Sequence, residues 1–227
     1  MFKLRLTACL ALAFALAVGA APASAGIDIA GNGGFELAGG GGAADSAQWS
    51  ENTSSGANIS ERTTTNPNSG SFSHHLYAEG MAALGTVAGI SQHSANDAGL
   101  PSLLEGTTLS ASFDAMTPFG PGGVMNYSLR ILNSAGVIVG IYNNTIPSPS
   151  ASYSTFTTPD LTVPAFGAAP NDAFYAFLEI NAAAGEFVGS VSEVYVDNVV
   201  INGTVIPEPA SGLLLAIGAL GLLRRRR

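Results

Sequence analysis

From residue 26 to residue 203 the chain alternates apolar and polar positions in short runs. Thr108 to Ala115 places Leu109, Ala111, Phe113 and Ala115 on one side of an extended segment, opposite Thr108, Ser110, Ser112 and Asp114. Val124 to Leu132 sets Met125, Tyr127, Leu129 and Ile131 against Asn126, Ser128 and Arg130. Ser71 to Ala78 sets Phe72, His74 and Leu76 against Ser73, His75 and Tyr77. A period of two marks a strand with one buried and one wet face. Further β-prone runs are Val137 to Tyr142, Tyr153 to Val163, Ala173 to Ile180 and Glu193 to Ile201. Clusters of Gly, Pro, Asn and Ser divide them, and none reads as a long amphipathic helix. The pattern predicts an all-β fold, an antiparallel jelly-roll β-sandwich. Gly39 to Gly42 reads as a flexible loop, and so does Thr145 to Ser152, which holds Pro147 and Pro149.

The two ends break the pattern. Lys3 and Arg5 precede an apolar run from Leu10 to Val18, and Ala23-Ser24-Ala25 supplies a small-x-small cleavage site. Residues 1–25 therefore read as a signal peptide, with the mature chain starting at Gly26. Leu6-Thr7-Ala8-Cys9 spells a lipoprotein box, but it stands before the apolar run, on the wrong side for its peptidase. At the other end come Pro207-Glu208-Pro209, an apolar run from Ala210 to Leu223, and Arg224 to Arg227. Two prolines around a glutamate continue neither helix nor ladder, which leaves an extended stretch that a protease can grip. As a helix the run of about 14 residues is roughly 21 Å long against a hydrocarbon core of about 30 Å, a short transmembrane helix. The arginines stay on the cytoplasmic side.

This order of Pro-Glu-Pro, short membrane helix and arginine cluster resembles the PEP-CTERM sorting signal, here residues 205–227. The resemblance implies recognition by an exosortase-type membrane protease, with cleavage near Pro207, Glu208 and Pro209. It further implies export, transient anchoring in the inner membrane, and release to the cell surface or extracellular matrix of a Gram-negative, exopolysaccharide-producing bacterium.

Residues 26–204 remain, one domain's worth, large enough to bury a core without staples. The single cysteine, Cys9, leaves with the signal peptide, so the mature chain has no disulfide, thiolate nucleophile or cysteine metal site. The whole chain carries a net charge of −8. Six of its eight basic residues lie in the ends, so the domain keeps only Arg62 and Arg130 against fifteen acids, a net charge of −13. Such a surface repels phosphate backbones, which sets nucleic acid aside and suits a cation or a neutral glycan.

A second resemblance spans the domain. Asn32-Gly33-Gly34-Phe35-Glu36 is followed by Trp49, the middle holds Ser69-Gly70-Ser71-Phe72-Ser73-His74-His75-Leu76, and the end holds Val196-Asp197-Asn198-Val199. Together these resemble carbohydrate-binding modules of the galactose-binding-like jelly-roll type. The resemblance implies a structural Ca²⁺ held by Glu36 and Asp197, with main-chain carbonyls from Gly34 and the Asn68 to Ser73 turn. Hard oxygen ligands suit Ca²⁺ over Zn²⁺. The alternative is that both are ordinary exposed or main-chain-bonded acids.

Sugar binding needs an aromatic platform with amides and acids around it. Trp49, Phe119, Tyr127, Tyr142, Tyr153 and Tyr175 are the candidates. Trp49 is the strongest on chemistry, yet it stands where this fold buries a core tryptophan, and Tyr127 lies on an apolar face. Enzyme constellations are missing from the sequence: neither H-E-x-x-H nor G-x-S-x-G occurs. His74 and His75 are adjacent on a strand and face opposite ways. Glu179 and Glu186 form one of many acid pairs that fifteen carboxylates supply by chance. The reading is a non-catalytic exported protein that either binds a neutral extracellular polysaccharide or serves as a Ser/Thr-rich matrix scaffold.

Overall fold

The computed structural model describes residues 27–206, except 56, 119–121 and 148–149. The signal peptide, Ala23 and Ala25, Phe119, Pro207 to Pro209, the 210–223 run and the arginine tail lie outside the described residues. In chain order the first strands are β1 (Ile27–Asp28), β2 (Ala38–Gly39), β3 (Gly42–Ser46), β4 (Ser50–Thr53) and β5 (Ile59–Thr63). Next come β6 (Ser73–Glu79), β7 (Thr86–His93), β8 (Thr108–Met116), β9 (Gly123–Asn133) and β10 (Ile138–Ile146). The last are β11 (Ser154–Thr157), β12 (Leu161–Thr162), β13 (Phe174–Ala184) and β14 (Val191–Gly203). No helix among the described residues is long and apolar enough to cross a membrane.

Two antiparallel sheets stack face to face. One runs β11-β8-β14-β6-β5, with β1 added to β14 and β12 to β8; the other runs β10-β9-β13-β7-β4. The chain swaps sheets between β4 and β5, β6 and β7, β7 and β8, β8 and β9, β10 and β11, β12 and β13, and β13 and β14, which is how a jelly roll closes its core. The fold class read from the alternation is the fold observed.

The core is what the alternation dictates. Leu109, Ala111, Phe113 and Ala115 of β8 are buried, with Leu76 and Ala78 of β6 and Val194, Val196, Val199 and Ile201 of β14. Met125, Tyr127, Leu129 and Ile131 of β9 and Ala176, Leu178, Ile180 and Ala182 of β13 face them from the second sheet. Phe113 meets Tyr127 edge to face across the sandwich, with centroids 5.0 Å apart. Such a pair adds about 0.5–1.5 kcal/mol to its area burial.

Three readings are corrected. The Gly39 to Gly42 run is the turn and edge of the β2–β3 hairpin, whose Asp45 carboxylate accepts the Gly41 N–H at 2.6 Å. Tyr153 to Val163 breaks into β11 and β12, because Pro159 has no N–H to give a ladder. Strand β10 continues through Thr145 to Ile146, into the segment taken as loop.

Candidate functional site

Strands that bury one face present the other, and the outer face of the five-stranded sheet is polar. Asn126, Ser128 and Arg130 point outward from β9, Asn143 and Thr145 from β10, and Phe177, Glu179 and Asn181 from β13. The register aligns them in rungs. Thr145, Asn126, Asn181 and Gly89 form one row, Asn143, Ser128, Glu179 and Ser91 the next, and Ile141, Arg130, Phe177 and His93 a third. A cleft of about 190 Å³ opens over the first two rows. That is below the roughly 300–1,000 Å³ of enclosed small-molecule sites, so it is a shallow groove rather than a closed pocket.

Charge in the groove is balanced. Arg130 Nη2 donates to Glu179 Oε2 at 2.6 Å, and the guanidinium stands 5.4 Å from the Phe177 ring centre. Thr145 donates to Asn126 Oδ1 at 2.8 Å. Gly89, opposite Asn181 on β7, leaves room for that side chain: a Cβ there would collide with the Asn181 side-chain oxygen. Beside the groove, His93 packs against Tyr175 and Phe177 at 5.4 and 6.4 Å, making an aromatic ridge. Desolvation pulls the His93 pKa below its ordinary value, partly offset by Asp97.

Five buried side-chain polar atoms among the described residues lack a protein partner, and three of them belong to residues that line this groove: Ser128 Oγ, Arg130 Nε and Asn181 Oδ1. Leaving such an atom unpaired costs about 1–3 kcal/mol, so solvent or a ligand hydroxyl completes it. The set offers a donor, an acceptor and a hydroxyl that is both. That is the chemistry needed to hold vicinal sugar hydroxyls.

The residues expected from sequence lie elsewhere. Trp49 is 6 % exposed, packs against Phe35 at 5.4 Å and donates Nε1–H to Asn32 O at 3.2 Å. Its rings fill the core, so it does not offer the open face that sugar stacking needs. Tyr127 is buried as well, its hydroxyl accepting from Asn144 Nδ2 at 2.9 Å. Tyr142 packs on the core edge, and the Tyr153 hydroxyl donates to Asn66 O. Of the aromatic candidates placed, Tyr127 lines the groove from beneath, and Tyr175 stands on the His93 ridge beside it. Glu179 belongs to the groove, while Glu186 lies in the β13–β14 loop.

Glu36 and Asp197 do converge, on one turn. Asp197 Oδ2 accepts the N–H groups of Asn68 and Ser69 at 2.8 and 2.9 Å, and Glu36 Oε1 those of Ser71 and Phe72 at 2.8 and 3.2 Å. Asp197 is fully buried, and desolvation raises its pKa against the lowering pull of three backbone N–H bonds. Gly34 lies in the turn just before Phe35. Sequence reasoning missed the groove because its residues are ordinary Asn and Ser at outward positions. The available signal was that Asn126 and Ser128 share a polar side with Arg130, one of two basic residues in the domain.

The fold and groove define a β-sandwich of the architecture that carbohydrate-binding modules use, joined to a sorting tail. Residues 205–227 match the PEP-CTERM protein-sorting motif. Such a motif implies an exported protein, anchored in a membrane before processing. No curated protein matches the chain. Among solved structures, the CBM22-1-CBM22-2 tandem domain from Paenibacillus barcinonensis Xyn10C shares the fold at TM-score 0.50 and 10% identity, covering 85% of this chain and 49% of its own. The enzymatically active domain of a tailspike protein from bacteriophage CBA120 matches at TM-score 0.53 and 17% identity. That match covers 78% of this chain, which spans only about a fifth (21%) of the tailspike chain. The Stig cyclase Fisc from Fischerella sp. TAU matches at TM-score 0.52 and 17% identity, covering 79% of this chain and 98% of its own. Binding modules and enzymes both use this architecture, so the likeness establishes the fold, and function rests on the site.

Proposed function

We propose that this chain is a non-catalytic surface or matrix protein whose sandwich holds a neutral polysaccharide along the outer face of the five-stranded sheet. An exosortase-type protease releases it from the inner membrane of a Gram-negative cell. The carrying observation is that three unpartnered polar atoms, Ser128 Oγ, Arg130 Nε and Asn181 Oδ1, belong to side chains lining one open groove. Neutral sugars suit it because the groove's one ion pair is internally balanced, while the domain's charge of −13 repels polyanions. Among the described residues Glu179 is the only carboxylate lining the groove, and it is bound to Arg130. The paired carboxylates of a glycoside hydrolase are therefore not assembled in it.

Glycan-array binding of the full chain, followed by titration of Asn181→Ala, tests this reading. Losing one ligand hydrogen bond of about 1–1.5 kcal/mol weakens binding roughly tenfold. The Asn181 oxygen has no protein partner, so the melting midpoint should stay put. An array blank across neutral sugars, or binding unaffected by the substitution, overturns the proposal in favour of a ligand-free scaffold.

A further inference from the structure

The resemblance to carbohydrate-binding modules implies a Ca²⁺ at Glu36 and Asp197, and the donor set here does not fit one. Calcium takes six to eight oxygen lone pairs. Asp197 Oδ1 accepts the Asn198 N–H at 2.7 Å, and Oδ2 accepts two more N–H groups. Glu36 Oε1 accepts two. Hydrogens aimed at these carboxylates oppose a cation set against the same oxygens. The carbonyls on either side of the Glu36 α-carbon are taken as well. Arg62, 8 % exposed, donates from Nε to Phe35 O at 2.5 Å, from Nη2 to Glu36 O at 2.8 Å and from Nη1 to Ala43 O at 3.0 Å. Its guanidinium also lies 3.1 Å over the ring of Phe72, whose N–H binds Glu36.

We propose that Arg62 is the resident cation of this clamp, and that the segment from Phe35 through the β2–β3 hairpin locks onto the 68–72 turn without metal. Arg62 forks both carbonyls that flank the Glu36 α-carbon, so one guanidinium organises the backbone that a metal would gather. No carboxylate lies within salt-bridge distance of Arg62 among the described residues, so its positive field is shared across the clamp and not spent on one partner. Gly70, at φ 59°, completes the fit, because a Cβ there would strike the Glu36 carboxylate.

The test is thermal melting of the full-length chain in excess chelator and in millimolar Ca²⁺. The two midpoints are expected to agree within ~1 °C, whereas an ion held at about a hundredfold excess over its Kd would separate them by roughly 5–10 °C. A midpoint that falls on chelation and returns with Ca²⁺ overturns the proposal. Arg62→Gln is the second measurement, expected to melt lower by the same amount in both conditions. A variant as stable as the parent, or one that Ca²⁺ alone restores, also overturns it. If the variant does not fold, the chelation result on the parent chain still decides. None of these outcomes bears on sugar binding at the groove, so the two proposals fail separately.

Discussion

Glu51 and His74 approach to 3.9 Å beneath the β4–β6 side of the sandwich, and burial moves both off their ordinary titrations. Desolvation is the main cause for Glu51, raising its pKa from 4.5 to about 7, although the Ser46 N–H bond works against it. Desolvation also lowers the fully buried His74 from 6.5 to about 3, with Ser46 and Ser60 hydroxyls bonding its two ring nitrogens. The signs oppose. From pH 4.5 to 7 the folded chain keeps a Glu51 proton that the unfolded chain releases, so stability falls as pH rises through this window. From pH 6.5 down to 3 the unfolded chain binds a His74 proton that the folded chain refuses, so stability falls as pH drops. The two slopes offset between pH 4.5 and 6.5, where a stability plateau is expected, followed by loss toward pH 3. Glu51→Gln keeps an acceptor for Ser46 and removes the proton. It should match the parent near pH 4 and exceed it at pH 8 by roughly 1–2 kcal/mol after discounting for partial exposure. Urea melts at several pH values measure this, and a constant difference across pH would refute the assignment. Gly89 makes a second prediction at this scale. Gly89→Ala sets a methyl against Asn181 Oδ1 and should abolish groove binding in a glycan titration, while the fold persists.

The strands differ in how plainly they announce themselves, for a physical reason. In β8, β9 and β13 the inner side is the core and the outer side meets solvent, so alternation in sequence is alternation in burial. In β4 and β5, Ser-Glu-Asn-Thr and Ile-Ser-Glu-Arg-Thr lie at sheet edges and carry almost no apolar period. Strand β7 hid behind Gly89 and Gln92: the glycine makes room for the Asn181 side chain, and the glutamine is buried because it bonds the backbone of Gly31 and Gln48. Of the carboxylate clamp only the pairing of Glu36 with Asp197 was legible, through the resemblance, because its chemistry depends on which way the N–H groups of residues 68–72 point. The groove was not legible, since register alone makes neighbours of Asn126, Asn181 and Gly89. The core strands should carry the fold energetically. Leu129→Ala, at a site with no exposure, is expected to cost about 2–5 kcal/mol by denaturant titration. Thr63→Ala on the edge strand β5 should stay within about 0.5 kcal/mol.

For the whole molecule, the distribution of charge couples the domain to its route. An acidic sandwich precedes a tail whose four arginines hold half of the chain's eight basic residues. On the proposed route the arginines would hold the tail on the cytoplasmic face while the acidic domain passes through. Cleavage near Pro207-Glu208-Pro209 would then leave the domain its −13 without the counterweight, a charge that repels anionic lipid. The match of residues 205–227 to the sorting motif makes this a prediction about mass. Protein recovered from the native host should begin at Gly26 and lack Arg224 to Arg227, as intact-mass analysis will show. Replacing Pro207, Glu208 and Pro209 together by alanine leaves the apolar run and the arginines in place. That variant should accumulate in the inner-membrane fraction with its tail intact, and the extracellular pool should empty. A variant that is still released at the parent's mass would mean that the tripeptide is not what the protease reads.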